Sequence, residues 1–320
     1  MKIGPTTDKK YLKPVIMFID QLVYFCNKER WIMRKLIGYC LVTLGVGPLY
    51  TKAQENLKFD DSFNLWNVRC GQQATVFAAK AYVREQPNLK AAIVDSLSIG
   101  NIVTITSPPF KGNTIKNFYA PWHEITYAEN GIKKIGFIWL GLLALGKLSA
   151  SDGSQYIYGF ERLTENSDGQ NLFSTGVKML DAKGGFLAEH TYPFTYSGQT
   201  FAQSKLLPAM GLQNVKQILR MEFLGEACGI PSEYYYMAWT GKQLIDLPSR
   251  YSVADAGIYY YDEKMLFPSE HGKNNQIIYK YIEEGEALDD HAENANFKIT
   301  KKQEEFQWSG TSFQKLSTSK

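Results

Sequence analysis

Residues 74–107 run "ATVFAAKAYVREQPNLKAAIVDSLSIGNIVTITS". Apolar pairs at Val76-Phe77 and Tyr82-Val83 are followed by a break at Pro87. A run from Ile93 to Leu97 then leads to Gly100, and Ile102, Val103, Thr104 and Ile105 follow. Short apolar runs of period two, punctuated by Gly and Pro, predict antiparallel strands joined by tight turns rather than helices. The reading extends to "WHEITYAENGIKKIGFIWLGLL" at 122–143, where a strand from Trp122 meets the turn at 129–131 and a second strand runs through Ile135 to Ile138. Asn-Gly between two such runs is a strong short-range hairpin signal, because both turn residues must take positive φ.

Further along, "QILRMEFLGEACGIPSEYYYMAWTGKQLIDLPS" at 217–249 alternates Leu219, Met221 and Phe223 with Arg220 and Glu222, then gives an aromatic strand, Tyr234 to Trp239, and a turn at Thr240-Gly241. "MAWTGKQLIDL" at 237–247 is echoed by "FQWSGTSFQKL" at 306–316: each has Trp, a hydroxyl residue, Gly, two spacers, an apolar residue and a final Leu. The echo suggests a meander of similar hairpins, with blade-like units as one form of it, although aromatic-hydroxyl-Gly is also a common hairpin sequence. "LLPAMGLQNVKQI" at 206–218 is the one place that reads as a short helix or crossing connection. The whole is expected to be all-β. A small first block at 74–148 is followed by a linker, "SASDGSQ" at 149–155, and a larger antiparallel β-rich block at 156–316.

The N-terminal part has a different character. "MRKLIGYCLVTLGVGPLYTKAQE" at 33–55 has a basic pair, a short apolar run broken by glycines and Pro48, and small residues ending at Ala53. That is the order of a secretory signal peptide at 33–53, too interrupted for a permanent membrane helix, which needs about 20 apolar residues. Residues 1–32 then read as a mis-assigned start, and 54–73 as a polar lead-in. Residues 1–53 hold nine of the 35 basic and three of the 32 acidic residues, which converts the net charge of +3 into −3 for the remainder. No cationic stripe with interleaved stacking aromatics is present, so nucleic acid is not expected as a partner. Contact with membrane is expected only during export, and the location is periplasmic or secreted. Cys26 and Cys40 fall in the leader. Cys70 and Cys228 remain, and two thiols in an oxidising compartment make a disulfide candidate.

The first block resembles the bacterial SH3-like (SH3b) barrel. The family's opening, a strand ending in L-N-V-R before a Pro-containing turn, appears as "AYVREQP" at 81–87. Its central x-x-L-x-x-G-x-x-V-x-V appears as Leu97, Gly100, Val103 and Ile105. Its closing W-x-x-V…G…G-W-V appears as Trp122, Ile125, Gly131, Gly136, Phe137 and Ile138. Phe137 replaces the usual Trp, and "SPPFKGNTIKNFYAP" at 107–121 lengthens the loop before Trp122. Both departures fall where ligand contacts are made. The resemblance implies a non-catalytic module that binds cell-wall peptide or an envelope protein, without a cofactor. A small barrel closes its edges and offers aromatics near a groove. Tyr82, Tyr119, Trp122 and Tyr127 are the ligand-binding candidates. Trp122, at the start of a strand, suits the core equally.

Chemistry for catalysis or metal binding is not evident. Wall peptidases that accompany such modules place a nucleophilic Cys at a helix start, whereas Cys228 in "GEACGIPSE" is followed at once by the helix breakers Gly229 and Pro231. His123, His190, His271 and His291 show no metal-ligand spacing. "TENSDG" at 164–169 has Thr where a calcium loop needs its first and last carboxylates. The acidic run "EEGEALDDHAE" at 283–293 reads as a solvated loop. No catalytic residue and no metal site are expected. Three readings follow: an exported binding protein, a wall hydrolase with an unrecognised β-rich catalytic domain, and a purely structural envelope protein.

Overall fold

The computed structural model describes residues 65–165, 171–195, 200–255, 257–273, 275–288 and 296–316. Residues 1–32 with Cys26, expected as a mis-assigned start, residues 33–53 with Cys40, expected as a leader, most of the 164–169 turn, and residues 289–293 of the acidic run with His291 lie outside them. The described residues are almost all antiparallel strand, as the period-two patterning requires. Helix among them is confined to a 3-10 turn, Leu140–Leu142, and the four-residue α1, Pro268–His271.

The first sheet has seven strands: β1 (Gln73–Thr75), β2 (Lys80–Arg84), β3 (Ile93–Ser98), β4 (Ile102–Ile105), β5 (Phe110–Ile115), β6 (Phe118–Glu129) and β7 (Ile132–Trp139). They run in the order β1-β4-β6-β7-β2-β3, with β5 laid on β6. The turn between β6 and β7 is the expected one, with Asn130 and Gly131 at φ 51° and 77°. Gly100, at φ 82°, closes the turn between β3 and β4. Inward residues Ala81, Val83, Leu97, Val103, Ile105, Ile125 and Ile138 are all buried.

A four-stranded sheet follows, in the order β11-β10-β9-β8, from β8 (Gly146–Ser149), β9 (Gln155–Glu165), β10 (Asn171–Leu180) and β11 (Phe186–Thr195). Residues 149–155, expected as a linker, close the hairpin between β8 and β9. The Ala150 N–H bonds the Ser154 carbonyl (2.8 Å), Gly153 takes φ 82°, and Asp152 Oδ1 accepts from both Ser154 N–H (2.9 Å) and its hydroxyl (2.6 Å). Linkers and hairpin turns are built from the same small polar residues, so composition does not separate them.

The last sheet is a nine-stranded meander: β12 (Thr200–Leu207), β13 (Gln217–Gly225), β14 (Ser232–Trp239), β15 (Leu244–Asp246), β16 (Arg250–Asp255), β17 (Tyr259–Leu266), β18 (Ile277–Ala287), β19 (Phe297–Trp308) and β20 (Phe313–Lys315). It is one sheet, not a set of blades. Residues 208–216, inside the segment read as a helix or crossing connection, are the non-helical link between the antiparallel neighbours β12 and β13. The echoed segments form equivalent hairpins. Trp239 pairs with Leu244 and Trp308 with Phe313, while the N–H groups of Leu247 and Leu316 bond the carbonyls of Tyr236 and Glu305 (2.9 and 2.8 Å). In each turn one hydroxyl, Thr240 or Ser309, accepts from the backbone N–H groups two and three residues on.

One hydrophobic cluster runs through all three sheets, which lie within a single unit, Glu55–Lys320. Its spine is aromatic. Phe118 meets Trp139 (4.9 Å between centroids) and Phe173 (5.4 Å), Phe173 stacks on Phe160 (4.0 Å), and Phe194 stacks on Phe223 of the meander (3.9 Å). The polar lead-in joins this core at its described end. Leu65 and Trp66 are buried, the Trp66 ring lies edge-on to Phe160 (5.5 Å), and its Nε1–H donates to Leu143 O (3.0 Å). A second cluster of Ile218, Tyr236, Met265, Phe267, Ile278, Phe306 and Trp308 fills the meander alone. Beside it, Lys280 Nζ lies 3.0 Å from Glu263 Oε2, an ion pair with both side chains about nine-tenths buried.

Candidate functional site

The four aromatic candidates do not converge on one groove. Trp122 is 1% exposed and donates its indole N–H to Asn113 Oδ1 (2.7 Å). The Tyr119 hydroxyl accepts the Gly112 N–H (2.7 Å). Both partners belong to β5, so these rings hold the lengthened loop onto β6. The approach is close because residue 112 is Gly: a Cβ there would lie 2.1 Å from the Ala120 carbonyl oxygen. Tyr127 is 5% exposed; its hydroxyl donates to Asp95 Oδ2 (2.9 Å), which also accepts from Lys134 Nζ (3.0 Å), while Lys134 pairs with Glu129 as well. Burial, and then the Asp95 carboxylate, push the Tyr127 hydroxyl up to about 12. The hydrogen bond from Lys134 holds the Asp95 carboxyl below the usual carboxylate range, against the effect of burial. Of the four, only Tyr82 is exposed, at 42%, with Lys80 Nζ 5.3 Å from its ring centre.

Tyr82 shares its face with a patch that the strand register assembles. On β2, Lys80, Tyr82 and Arg84 point outward while Ala81 and Val83 are buried. Arg84 pairs with Ile93 on one side and with Phe137 on the other, and Phe137 pairs with Glu124 on β6. A guanidinium, an aromatic ring and a carboxylate therefore form one row across three strands. Ile135, two residues before Phe137 on the same face, is 63% exposed, and Ile93 is 50% exposed. Phe110 of β5, itself 40% exposed, meets Phe137 edge-on at 5.4 Å. The two departures from the barrel pattern, Phe137 and the lengthened loop, thus touch each other.

Each charged member of the row is placed by a specific bond. Arg84 reaches the Ala91 carbonyl (2.6 Å), which ties the 85–92 loop to the strand. Glu124 Oε1 accepts from the Thr106 hydroxyl (2.8 Å), and the Glu124 N–H donates to Ser107 Oγ (2.9 Å). One pair further along the same face, Trp122 and Trp139 are paired and buried beneath β5. The face therefore passes from closed core to open patch within one residue pair. Sequence reasoning missed Phe110, Arg84, Ile93 and Ile135; the signal available was the lengthened loop itself and the replaced Trp.

Cys70 and Cys228, the disulfide candidate, are both free and exposed. Of the histidines, His123 is buried on β6, His190 Nε2 lies 2.8 Å from Asp246 Oδ2, and His271 Nε2 lies 2.8 Å from the Ile277 carbonyl. Among the described residues, no group of three or more His, Cys, Asp and Glu could hold a metal ion, and no helix is long and apolar enough to cross a membrane. Comparison with known proteins finds no matching family model, no matching curated protein and no matching solved structure.

Proposed function

We propose that this chain is an exported, non-catalytic binding protein of the cell envelope, periplasmic or secreted, whose first block is an SH3-like module that binds cell-wall peptide through the outer face of β2, β5 and β7. The observation that carries the reading is the meeting of Phe110 with Phe137 beside Arg84, Glu124, Ile93 and Ile135. A short peptide with free carboxylate and amine groups and small aliphatic side chains is complementary to such a surface. Arg84 faces an anion, Glu124 a cation, and the exposed rings and isoleucines supply apolar contact that water would otherwise cover. Edge-on and stacked rings contribute contact area at small conformational cost, which suits recognition by a preformed surface.

The test is co-sedimentation of the leaderless protein with purified sacculi, comparing wild type with Phe110→Ser and Arg84→Gln. Both positions are on the surface, so the fold is expected to survive, and circular dichroism checks that it does. Wild-type protein should pellet with sacculi and both variants should lose most of that binding. Equal pelleting of all three would refute the assignment, and capture of an envelope protein with no affinity for sacculi would redirect it to a protein partner.

A further inference from the structure

The echoed hairpins meet across a cleft. The turn after Trp239 and the turn after Trp308 form two walls, and residues 214–216 of the β12–β13 connection lie between them, leaving an open cleft of about 560 Å³. That volume is within the range of small-ligand sites. The connection is fixed to both walls. The Trp308 indole N–H donates to Gln213 O (2.9 Å), and the Lys216 N–H donates to Trp239 O (2.8 Å). Gln276 holds it from a third side, accepting from the Gln213 N–H (2.7 Å) and donating to Gly211 O (3.0 Å). Asn214 sits at φ 59°, the left-handed conformation that Asn tolerates well.

Two glycines let polar side chains lie directly on the walls. Gly241 and Gly310 occupy equivalent turn positions at φ 93° and 94°. A Cβ on Gly241 would lie 2.7 Å from Lys216 Cε and 3.0 Å from its Nζ, and a Cβ on Gly310 would lie 2.8 Å from Asn214 Nδ2. The repeated glycine therefore serves both the turn and the close approach of an ammonium or an amide. Lys242, Gln243, Thr240 and Thr311 complete the lining, and no acidic residue is among the cleft's lining groups. Lys216 also acts through its charge on Asp152, whose Oδ1 accepts from Ser154. Two cations and several neutral donors thus line the cleft.

We propose that this cleft binds a tetrahedral oxyanion, a phosphate or sulfate group, with Lys216 and Lys242 as its cations and Asn214, Gln243 and Thr311 as neutral donors. The site uses none of the residues of the β2–β5–β7 patch and stands independently of it. An ammonium laid against a backbone turn, as Lys216 is against Gly241, is partly pre-organised, which lowers the entropy lost on closing around an anion.

The experiment is a titration of the leaderless protein with inorganic phosphate at low ionic strength, reading amide shifts of Gly241 and Gly310, with sulfate in a second arm and chloride at matched ionic strength in a third. Saturable shifts with phosphate and sulfate but not chloride are expected. Lys216→Gln and Lys242→Gln should each weaken binding about tenfold or more, as the loss of a charge-assisted hydrogen bond implies. Lys242→Glu, at an exposed turn position, should abolish binding while leaving the thermal midpoint in place. Shifts that never saturate, equal shifts with chloride, or an unchanged affinity in the Lys216→Gln/Lys242→Gln protein would overturn the proposal.

Discussion

Replacing Phe160 with Ala probes the join between the sheets. The ring is fully buried, stacks on Phe173 at 4.0 Å, runs parallel to Phe194 at 6.1 Å, and meets Trp66 edge-on at 5.5 Å. Its removal forfeits both the transfer of the ring from water and the packing of neighbours that rigid strands prevent from collapsing. A loss of about 3 to 5 kcal/mol follows, toward the upper end because four aromatic partners, Phe118 included, lose contact at once. Against a typical domain stability of about 5 to 15 kcal/mol, that is a large fraction. Phe160→Leu retains most of the volume and should cost about 1 to 2 kcal/mol. The assay is urea unfolding of the protein followed by far-ultraviolet dichroism and by amide exchange in β9–β10 and β17–β19. Because the cluster that contains Phe160 continues into β13 and β14, the meander should lose protection at the same lowered midpoint. If β17–β19 kept their wild-type midpoint while β9–β10 unfolded early, the continuity of the core would be refuted.

Three further outcomes follow from single contacts. Gly112→Ala places a methyl against the Ala120 carbonyl, so β5 should lift from β6. The expected signature is faster amide exchange at 110–115 and a loss of about 1 to 3 kcal/mol; unchanged exchange there would contradict the close approach. Glu263→Gln leaves the Lys280 ammonium buried without its counter-charge beside Tyr251 N–H and Tyr261, which also bond this carboxylate. A loss of about 3 to 5 kcal/mol is expected in chemical denaturation, and a change below about 1 kcal/mol would show that the pair is not buried in solution. Asp95 has a folded-state pKa below its unfolded value, so its contribution is fully present above the ordinary carboxylate range and is lost as pH falls through the folded value. Wild type should therefore exceed Asp95→Asn in stability at neutral pH, and the difference should vanish in strong acid; a gap that persists unchanged to pH 2 would refute the Lys134 assignment.

The parts of the fold that chain-local chemistry dictates were legible. Asn130-Gly131 could only be a tight hairpin, and the alternation at 102–105 could only be a half-buried strand. The Trp-hydroxyl-Gly echo proved to be the same hairpin twice, down to the bond made by the final Leu. What failed depended on layers that no single segment reveals. Tyr119 and Trp122, candidates for ligand contact, bond Gly112 and Asn113 of β5, and nothing nearby in sequence announces that β5 pairs with β6. Trp66 sits in a polar stretch, yet its partners are 52 and 94 residues away, at Phe118 and Phe160. Arg220 and Glu222 alternate with apolar neighbours as solvent-facing residues do, but they bond each other at 2.6 Å and Glu222 is buried on the meander's second packed face. Of the candidate site, the two departures from the barrel pattern meet in the patch, Phe137 against Phe110 of the lengthened loop. The row of Arg84, Phe137 and Glu124 needed the strand register, which the sequence does not state.

The most direct test of the proposed binding surface is a titration of isoleucine-methyl-labelled protein with a soluble cell-wall stem peptide. The methyl groups of Ile93 and Ile135, on the open face, should shift saturably together with the ring resonances of Phe110 and Phe137, while Ile218 and Ile278, buried in the meander, stay fixed. Shifts confined to the meander, or no saturable shift at Ile93 and Ile135, would contradict the account.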